Sequence, residues 1–166
     1  MKKAIYPGSF DPITKGHQSI ALRASYMFDT LIVAIGKNAD KQCMFSLEER
    51  LLFIKKTFAD VKNIEVVSYE GLTVDFCKKN DIKYVIRGLR SDMDWSVESS
   101  IANANKLLYP LVETIFLLTE PQHTGISSSI VREVLVNKGD VSVFVPEVVN
   151  SQLRITNYEL ADACNN

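Results

Sequence analysis

The stretch KAIYPGSFDPITKGH, residues 3–17, decides how the rest of the chain is interpreted. Its apolar start, Ala4–Tyr6, predicts a β-strand, and the proline and glycine residues that follow predict a tight turn. Beyond the turn, apolar side chains follow helical spacing at Ile20, Ala24, Met27 and Phe28. A strand that leads through a glycine-containing turn into a helix is typical of the first βα unit of a doubly wound α/β domain.

The same alternation continues along the chain. Four more β-rich runs predict strands at Leu31–Ile35, Ile64–Val67, Tyr84–Ile86 and Thr114–Leu118. Helices are predicted after the capping box of Ser46 and Glu49, and over Val74–Lys79, about 95–108 and Ser127–Val136, the last ended by Gly139. We therefore predict a Rossmann-like, doubly wound parallel sheet of five strands with helices on both faces, and a ligand site at the carboxyl ends of the strands.

Composition limits the class of protein. The 166 residues, 46% of them hydrophobic, are enough for one core, so we predict a single domain over 1–166 with a frayed tail at about 161–166. Lys and Arg number 19 against 20 Asp and Glu, and the net charge of −1 argues against nucleic-acid and membrane partners. Cys43, Cys77 and Cys164 form no CxxC pair, and no apolar run suits a signal peptide or a membrane span. These features predict a cytoplasmic protein.

The turn after the first strand favours an anionic ligand. Gly8 and Gly16 allow close approach of the backbone, Ser9 offers a hydroxyl group, and the following helix presents free N–H groups. His17, in the first helical turn, is placed to donate a hydrogen bond to a phosphoryl oxygen. A structural turn with an exposed histidine is the alternative. The glycine spacing matches neither GxGxxG nor a Walker loop, which argues against dinucleotide cofactors and P-loop hydrolysis.

Two later clusters suit the same ligand. Arg87 and Arg90 follow the fourth strand, and guanidinium groups match phosphate oxygens, although a solvated loop is the simpler explanation for such a pair. Ser127–Ser129 begin a helix after the fifth strand. Serines there cap the helix, and the same geometry also presents hydroxyl and N–H groups to a phosphate.

Together, YPGSFDP with TKGH, IRGLR over 86–90 and GISSSIVR over 125–132 resemble the T/HxGH and ISSS/TxxR motifs of the nucleotidyltransferase superfamily, in the form of the phosphopantetheine adenylyltransferase family. The resemblance implies that His17, Lys41 and Arg90 are catalytic, with His17 stabilising the transition state. It implies a phosphopantetheine site of Ser9, Lys41, Thr73 and Arg87. It implies an ATP site of Ser9, Phe10, His17, Gly88, Leu89, Arg90, Glu98, His123, Thr124, Gly125, Ile126, Ser127, Ser128 and Ser129.

The implied reaction is reversible transfer of the adenylyl group of ATP to 4′-phosphopantetheine, which yields dephospho-coenzyme A and pyrophosphate. No residue is assigned to a metal, and Mg²⁺ is expected on the ATP phosphates. The resemblance also implies a homohexamer and feedback by coenzyme A. Lys37 competes with Lys41 as the phosphate contact, and Ser96 and Val97 depart from the family pattern in a region expected to contact adenosine.

Two other functions remain open from the sequence. A sister nucleotidyltransferase acting on nicotinamide mononucleotide or another phosphate would share residues 14–17 and the serine cluster, but would lack the IRGLR stretch in this form. The other is a non-catalytic nucleotide-binding or sensor protein on the same fold, which a His17→Ala variant would separate from an enzyme.

Overall fold

In the computed structural model, residues 1–37 and 42–154 are described. Within them, strands β1 (Lys3–Gly8), β2 (Thr30–Lys37), β3 (Ile64–Glu70), β4 (Tyr84–Leu89) and β5 (Glu113–Leu118) form one parallel sheet in the order β3-β2-β1-β4-β5. The helices are α1 (Lys15–Ser25), α2 (Leu47–Thr57), α3 (Thr73–Lys79), α4 (Asp92–Leu108) and α5 (Ser128–Val136). A short 3₁₀ turn covers Pro121–His123, and residues 147–154 are helical. The predicted doubly wound fold is confirmed.

Both faces of the sheet are buried, as the apolar strands predict. Alternate residues of β1 point to opposite sides: Ala4 and Tyr6 join one apolar cluster, and Ile5 joins the other. The first cluster also contains apolar residues of α1, α2 and α5, and the second contains two residues of α3. Helices therefore cover both faces, which is the arrangement that a continuous apolar strand requires.

The pairing of β1 with β4 stops early. Cα partners on β1 and β2 run from Lys3 to Gly8, whereas β1 and β4 are paired only at Ala4–Tyr84 and Ile5–Val85. The two central strands therefore separate toward their carboxyl ends. The chain places β2 and β3 on one side of β1 and then crosses over to place β4 and β5 on the other side. Ligands bind at such a topological switch point in open α/β sheets.

Two helix boundaries differ from the sequence prediction by more than one residue. Helix α1 ends at Ser25, so Met27 and Phe28 lie beyond it; the Met27 N–H donates to the Ala24 carbonyl in a turn. Helix α4 begins at Asp92 rather than near 95, because the Ser91 side chain caps it by accepting from the Asp94 N–H. Capping by a side chain sets both the start and the direction of a helix.

The end of α5 is also built differently from the prediction. The residue in the left-handed region is Lys138, at φ 57°, and not Gly139. The Lys138 N–H donates to the Leu135 carbonyl and the Gly139 N–H to the Val134 carbonyl, which is a Schellman motif. Gly139 is needed for space, since a Cβ atom there would lie 2.7 Å from Val134 Cγ1.

We expect Gly139→Ala to lower the free energy of unfolding by about 1–3 kcal/mol, because the added methyl group overlaps Val134. Urea unfolding measures the change. Gly125→Ala is the matched control, since no atom lies within 4 Å of a Cβ at that position. Its expected effect is below about 0.5 kcal/mol. Equal losses in the two variants would contradict the steric explanation.

Candidate active site

The space between the separating ends of β1 and β4 holds two cavities. One, of about 370 Å³, lies beside the start of α1 and the start of α5. The other, of about 450 Å³, lies between the ends of β1 to β4 and the side of α4. Both are lined by Pro7, Gly8, Ser9, Arg87 and Glu98. The first βα turn and one arginine therefore form a wall that the two cavities share.

Phe10 gives the first turn its shape. Its backbone is in the left-handed region at φ 45°, which costs energy for a residue with a side chain. Its ring is buried edge-on against Tyr6 and His17, with ring centroids 5.4 and 5.2 Å apart. A Cβ atom at Gly8 would lie 2.8 Å from the Phe10 ring. Glycine at position 8 is therefore required for the ring to turn back under the strand.

His17 is the third residue of α1 and is tied to the residue that caps the helix. Thr14 Oγ1 accepts from the His17 N–H at 3.3 Å, and the Thr14 N–H donates to His17 Nδ1 at 3.2 Å. Because Nδ1 accepts a hydrogen bond, the ring proton of neutral His17 is on Nε2. The capping contact thus leaves Nε2–H as the donor that His17 offers to a ligand.

The electrostatic environment keeps His17 neutral. Burial, followed by the positive charges of Arg90 and Arg87, lowers the pKa of His17 from 6.5 to about 4. Each of these causes disfavours the imidazolium form. At neutral pH the side chain is accordingly a hydrogen-bond donor without a charge.

Arg87, on the shared wall, is held in place by three hydrogen bonds. Its Nε donates to Glu98 Oε2 at 2.6 Å, its Nη2 donates to Glu98 Oε1, and its Nη1 donates to the Pro7 carbonyl at 2.7 Å. A guanidinium group has five N–H donors, so two of them remain for a ligand. The contact to Pro7 also bridges β1 and β4 at the point where their pairing has stopped.

Arg90 connects the second and third clusters. Its Nε donates to Asp94 Oδ2 at 3.1 Å, and its Nη1 donates to the Ile126 carbonyl at 3.3 Å. Asp94 also accepts from the Arg90 backbone N–H at 2.9 Å. The guanidinium is therefore fixed by the first turn of α4, which follows it, and by the segment that leads into α5.

The serines at the start of α5 each have a protein partner. Ser127 caps the helix by accepting from the Ile130 N–H, which confirms the structural interpretation for that residue. Ser128 Oγ donates to the Pro12 carbonyl at 2.8 Å, and Ser129 Oγ accepts from Arg132 at 3.2 Å. These contacts hold the third cluster against the first turn, and all three serines line the smaller cavity.

Most of the predicted site residues that the structure describes line the two cavities. The smaller cavity contains Ser9, Phe10, His17, Arg87, Gly88, Arg90, Glu98 and Ile126–Ser129. Thr73 lines the larger cavity, with its hydroxyl 2.7 Å from the Tyr69 hydroxyl. Leu89, His123, Thr124 and Gly125 line neither cavity. Lys41 is outside the described residues, and Lys37 pairs with Glu70 at 3.0 Å.

Several cavity residues were not predicted. Asp11, Thr14 and Arg132 lie within the motifs already quoted, but the sequence analysis assigned site roles only to neighbouring residues of those motifs. Tyr69 and Asn105 belong to β3 and α4 and reach the larger cavity only through the fold. Nothing in the local sequence distinguishes them from ordinary strand and helix residues.

Comparisons with known proteins agree with this geometry. Residues 5–134 match the family described as Cytidylyltransferase-like. A phosphopantetheine adenylyltransferase from Flavobacterium psychrophilum is 54% identical over 149 residues, which are 90% of this chain and 98% of that protein. The chain belongs to the phosphopantetheine adenylyltransferase family. A member of this family from Carboxydothermus hydrogenoformans is 49% identical over 93% of this chain and 95% of that protein.

The phosphopantetheine adenylyltransferase assignment confirms the predicted enzyme class, and a sister nucleotidyltransferase is not favoured. A solved structure described as a putative nicotinate-nucleotide adenylyltransferase from Vibrio parahaemolyticus has a TM-score of 0.67 and covers 92% of this chain and 99% of that one. At 18% identity it supports the fold alone. Across residues 1–37 and 42–154, no helix is long and apolar enough to cross a membrane.

The environment of His17 leads to a measurable pH response. NMR titration of histidine-labelled protein should give His17 a pKa near 4, and Arg90→Gln should raise it, because a positive charge is removed. Since the folded-state pKa lies below the unfolded value, stability falls as the pH drops from 6.5 toward 4. Arg23→Gln, on the same helix, is the control and should leave the pKa unchanged. A wild-type midpoint near 6.5 would contradict this assignment.

Proposed function

We propose that the chain transfers the adenylyl group of ATP to 4′-phosphopantetheine and releases dephospho-coenzyme A and pyrophosphate. The observation that carries the proposal is the wall shared by two cavities, with Arg87 facing both. The smaller cavity has arginines and helix starts that suit nucleotide phosphates. The larger is lined by Tyr69, Thr73, Ile101 and Asn105, a mixture of polar and apolar side chains that suits an arm of amides and methylene groups.

The chemical step is direct substitution at phosphorus. A phosphate oxygen of phosphopantetheine attacks the α-phosphorus of ATP, the bond from that phosphorus to the oxygen bridging to the β-phosphorus breaks, and pyrophosphate leaves with the electron pair. Because a phosphate monoester is largely ionised at pH 7, no general base is needed. Catalysis then depends on holding two anions in line and stabilising the charge that develops between them.

The residues of the shared wall suit these two tasks. The uncharged Nε2–H of His17 would donate to an oxygen on the α-phosphorus, where the negative charge increases in the transition state. The two remaining donors of Arg87 would hold the phosphate of phosphopantetheine, and Arg90 would contact the nucleotide. Lys41 would contact the phosphate of phosphopantetheine, as the family resemblance implies.

Mg²⁺ is proposed to enter with the ATP phosphates, whose charge it would neutralise. The carboxylates at the smaller cavity are already engaged: Asp11 accepts two backbone N–H groups, Asp94 pairs with Arg90, and Glu98 pairs with Arg87. In the described part of the chain, no group of three or more His, Cys, Asp or Glu side chains is arranged to hold a metal. These side chains fit a metal whose ligands come from the substrate.

Assembly and regulation are proposed on the same basis. Helix α4 has no buried residue within this chain, and exposed apolar side chains follow it, including Met93, Val97, Ile101 and Leu107. A face of this kind is typical of an interface between subunits, and we propose the homohexamer that the family resemblance implies. Coenzyme A, which differs from the product only by an additional phosphate on the ribose, would bind in the same two cavities as a feedback ligand. We place the enzyme in the cytoplasm, where ATP is supplied.

The reaction is tested with a substrate panel. Wild-type protein with ATP and Mg²⁺ should release pyrophosphate only when 4′-phosphopantetheine is present, because the attacking group is the phosphate of that substrate. Pantetheine without its phosphate is the matched control and should give no pyrophosphate. Activity with nicotinamide mononucleotide in place of phosphopantetheine would overturn the proposal.

We expect His17→Ala to lower kcat by about 10²- to 10³-fold, because one donor to the developing charge is lost. The Kd for ATP, measured by calorimetry, should change less than about threefold. His17→Gln keeps an N–H donor near the same place and should retain more activity than His17→Ala. A loss of ATP affinity that accounts for the whole effect would show that His17 binds the ground state.

A further inference from the structure

Three arginines from three different elements hold the first βα turn by its carbonyl oxygens. The Nη1 atoms donate to alternate residues of the turn: Arg87 to Pro7 at 2.7 Å, Arg50 to Ser9 at 2.9 Å and Arg132 to Asp11 at 2.6 Å. Arg87 and Arg132 line the smaller cavity, and Arg50 lines neither cavity. Arg50 therefore contacts the turn from outside the two cavities, and the proposed reaction gives it no role.

Burying the guanidinium group of Arg50 costs free energy unless its N–H groups find hydrogen-bond acceptors. The residue is 9% exposed, and among the described residues it forms no ion pair with a carboxylate. Its Nε donates to the Ser46 carbonyl at 3.2 Å and its Nη1 to the Ser9 carbonyl. In the described part of the chain, the partners of this buried positive charge are carbonyl oxygens, and the rigid guanidinium fork fixes those oxygens in turn.

The contact with Ser9 determines where the next N–H points. The Ser9–Phe10 peptide is trans, so the Phe10 N–H is directed opposite to the Ser9 carbonyl, away from Arg50. Phe10 is 2% exposed, and no acceptor in the described part of the chain binds its N–H. Buried backbone N–H groups nearly always have a partner in the protein, in water or in a ligand, so this N–H is available to a bound ligand. Phe10 also lines the smaller cavity.

We propose that Arg50 is a positioning residue that holds the Ser9–Phe10 peptide so that the Phe10 N–H donates to a phosphoryl oxygen of the nucleotide. This inference rests on the proposed function. The strained φ of 45° at Phe10 is the reason that a fixed support is needed, since the peptide would otherwise relax. Phe10 and His17 both line the smaller cavity, so in this proposal the two donors act on one phosphoryl group, where negative charge increases in the transition state.

The kinetic test compares two variants at the start of α2. Arg50→Lys keeps the charge but cannot reach both carbonyls, and it should lower kcat at least about tenfold with KM values within about threefold. Ser46→Ala removes the side-chain cap from the Glu49 N–H and leaves the Ser46 carbonyl in place, so it weakens the same helix start. Its Tm should fall by about 3 °C and its kcat should stay within about twofold.

Two kinetic results would overturn the proposal. If Arg50→Lys and Arg50→Ala keep full kcat while their Tm falls as in Ser46→Ala, Arg50 has a structural role alone. If KM for ATP rises and kcat is unchanged, the Phe10 N–H does not act in the transition state.

A binding measurement separates this inference from the reaction itself. In ¹⁵N-phenylalanine-labelled wild type, ATP should shift the Phe10 amide proton downfield, and Arg50→Lys should abolish that shift while ATP still binds. This readout does not need turnover, so a failure with phosphopantetheine in the substrate panel would leave it interpretable. An unshifted Phe10 amide in ATP-saturated wild type would overturn the role of Arg50.

Discussion

The early separation of β1 and β4 is the constraint on which the active site depends. β1 is the central strand of the sheet and β4 lies beside it, yet these two strands are paired only at Ala4–Tyr84 and Ile5–Val85. Beyond these pairs the backbone groups of the two strand ends are no longer paired with each other, and a side chain forms a hydrogen bond across the gap instead. Arg87 donates to the Pro7 carbonyl across the gap, so a charged group stands where the next ladder contact would be. The separation of the two strands therefore both interrupts the sheet and opens the space in which the candidate site lies.

The arginines around the first turn differ in how much of their charge they offer to a ligand. Arg87 and Arg90 are paired with Glu98 and Asp94, so each is oriented while its field is partly compensated. Such pairing removes much of the freedom of a long side chain before substrate binds. Under the proposed function, the site would stabilise a phosphoryl group without a large rearrangement, which is the condition for electrostatic catalysis.

The sequence predicted the five strands and the order of the three clusters because these depend on local periodicity and turn chemistry. It failed at the end of α5, where Lys138 takes the left-handed position, because contact with Val134 decides which residue must be glycine. Pairs such as Arg87–Glu98 required the folded chain, since each residue alone resembles a surface charge. Arg50 carried no signal, because its burial and its contact with Ser9 arise from packing between segments 41 residues apart.

The neutral state of His17 has a consequence for the end of the catalytic cycle. A hydrogen bond from a charged donor is roughly twice as strong as one from a neutral donor, and a buried cation beside Arg87 and Arg90 would bind pyrophosphate tightly. With an uncharged imidazole, the proposed contact would be strong only while charge is concentrated at the α-phosphorus. In that proposal, His17 would hold the products little better than the substrates and would not slow their release.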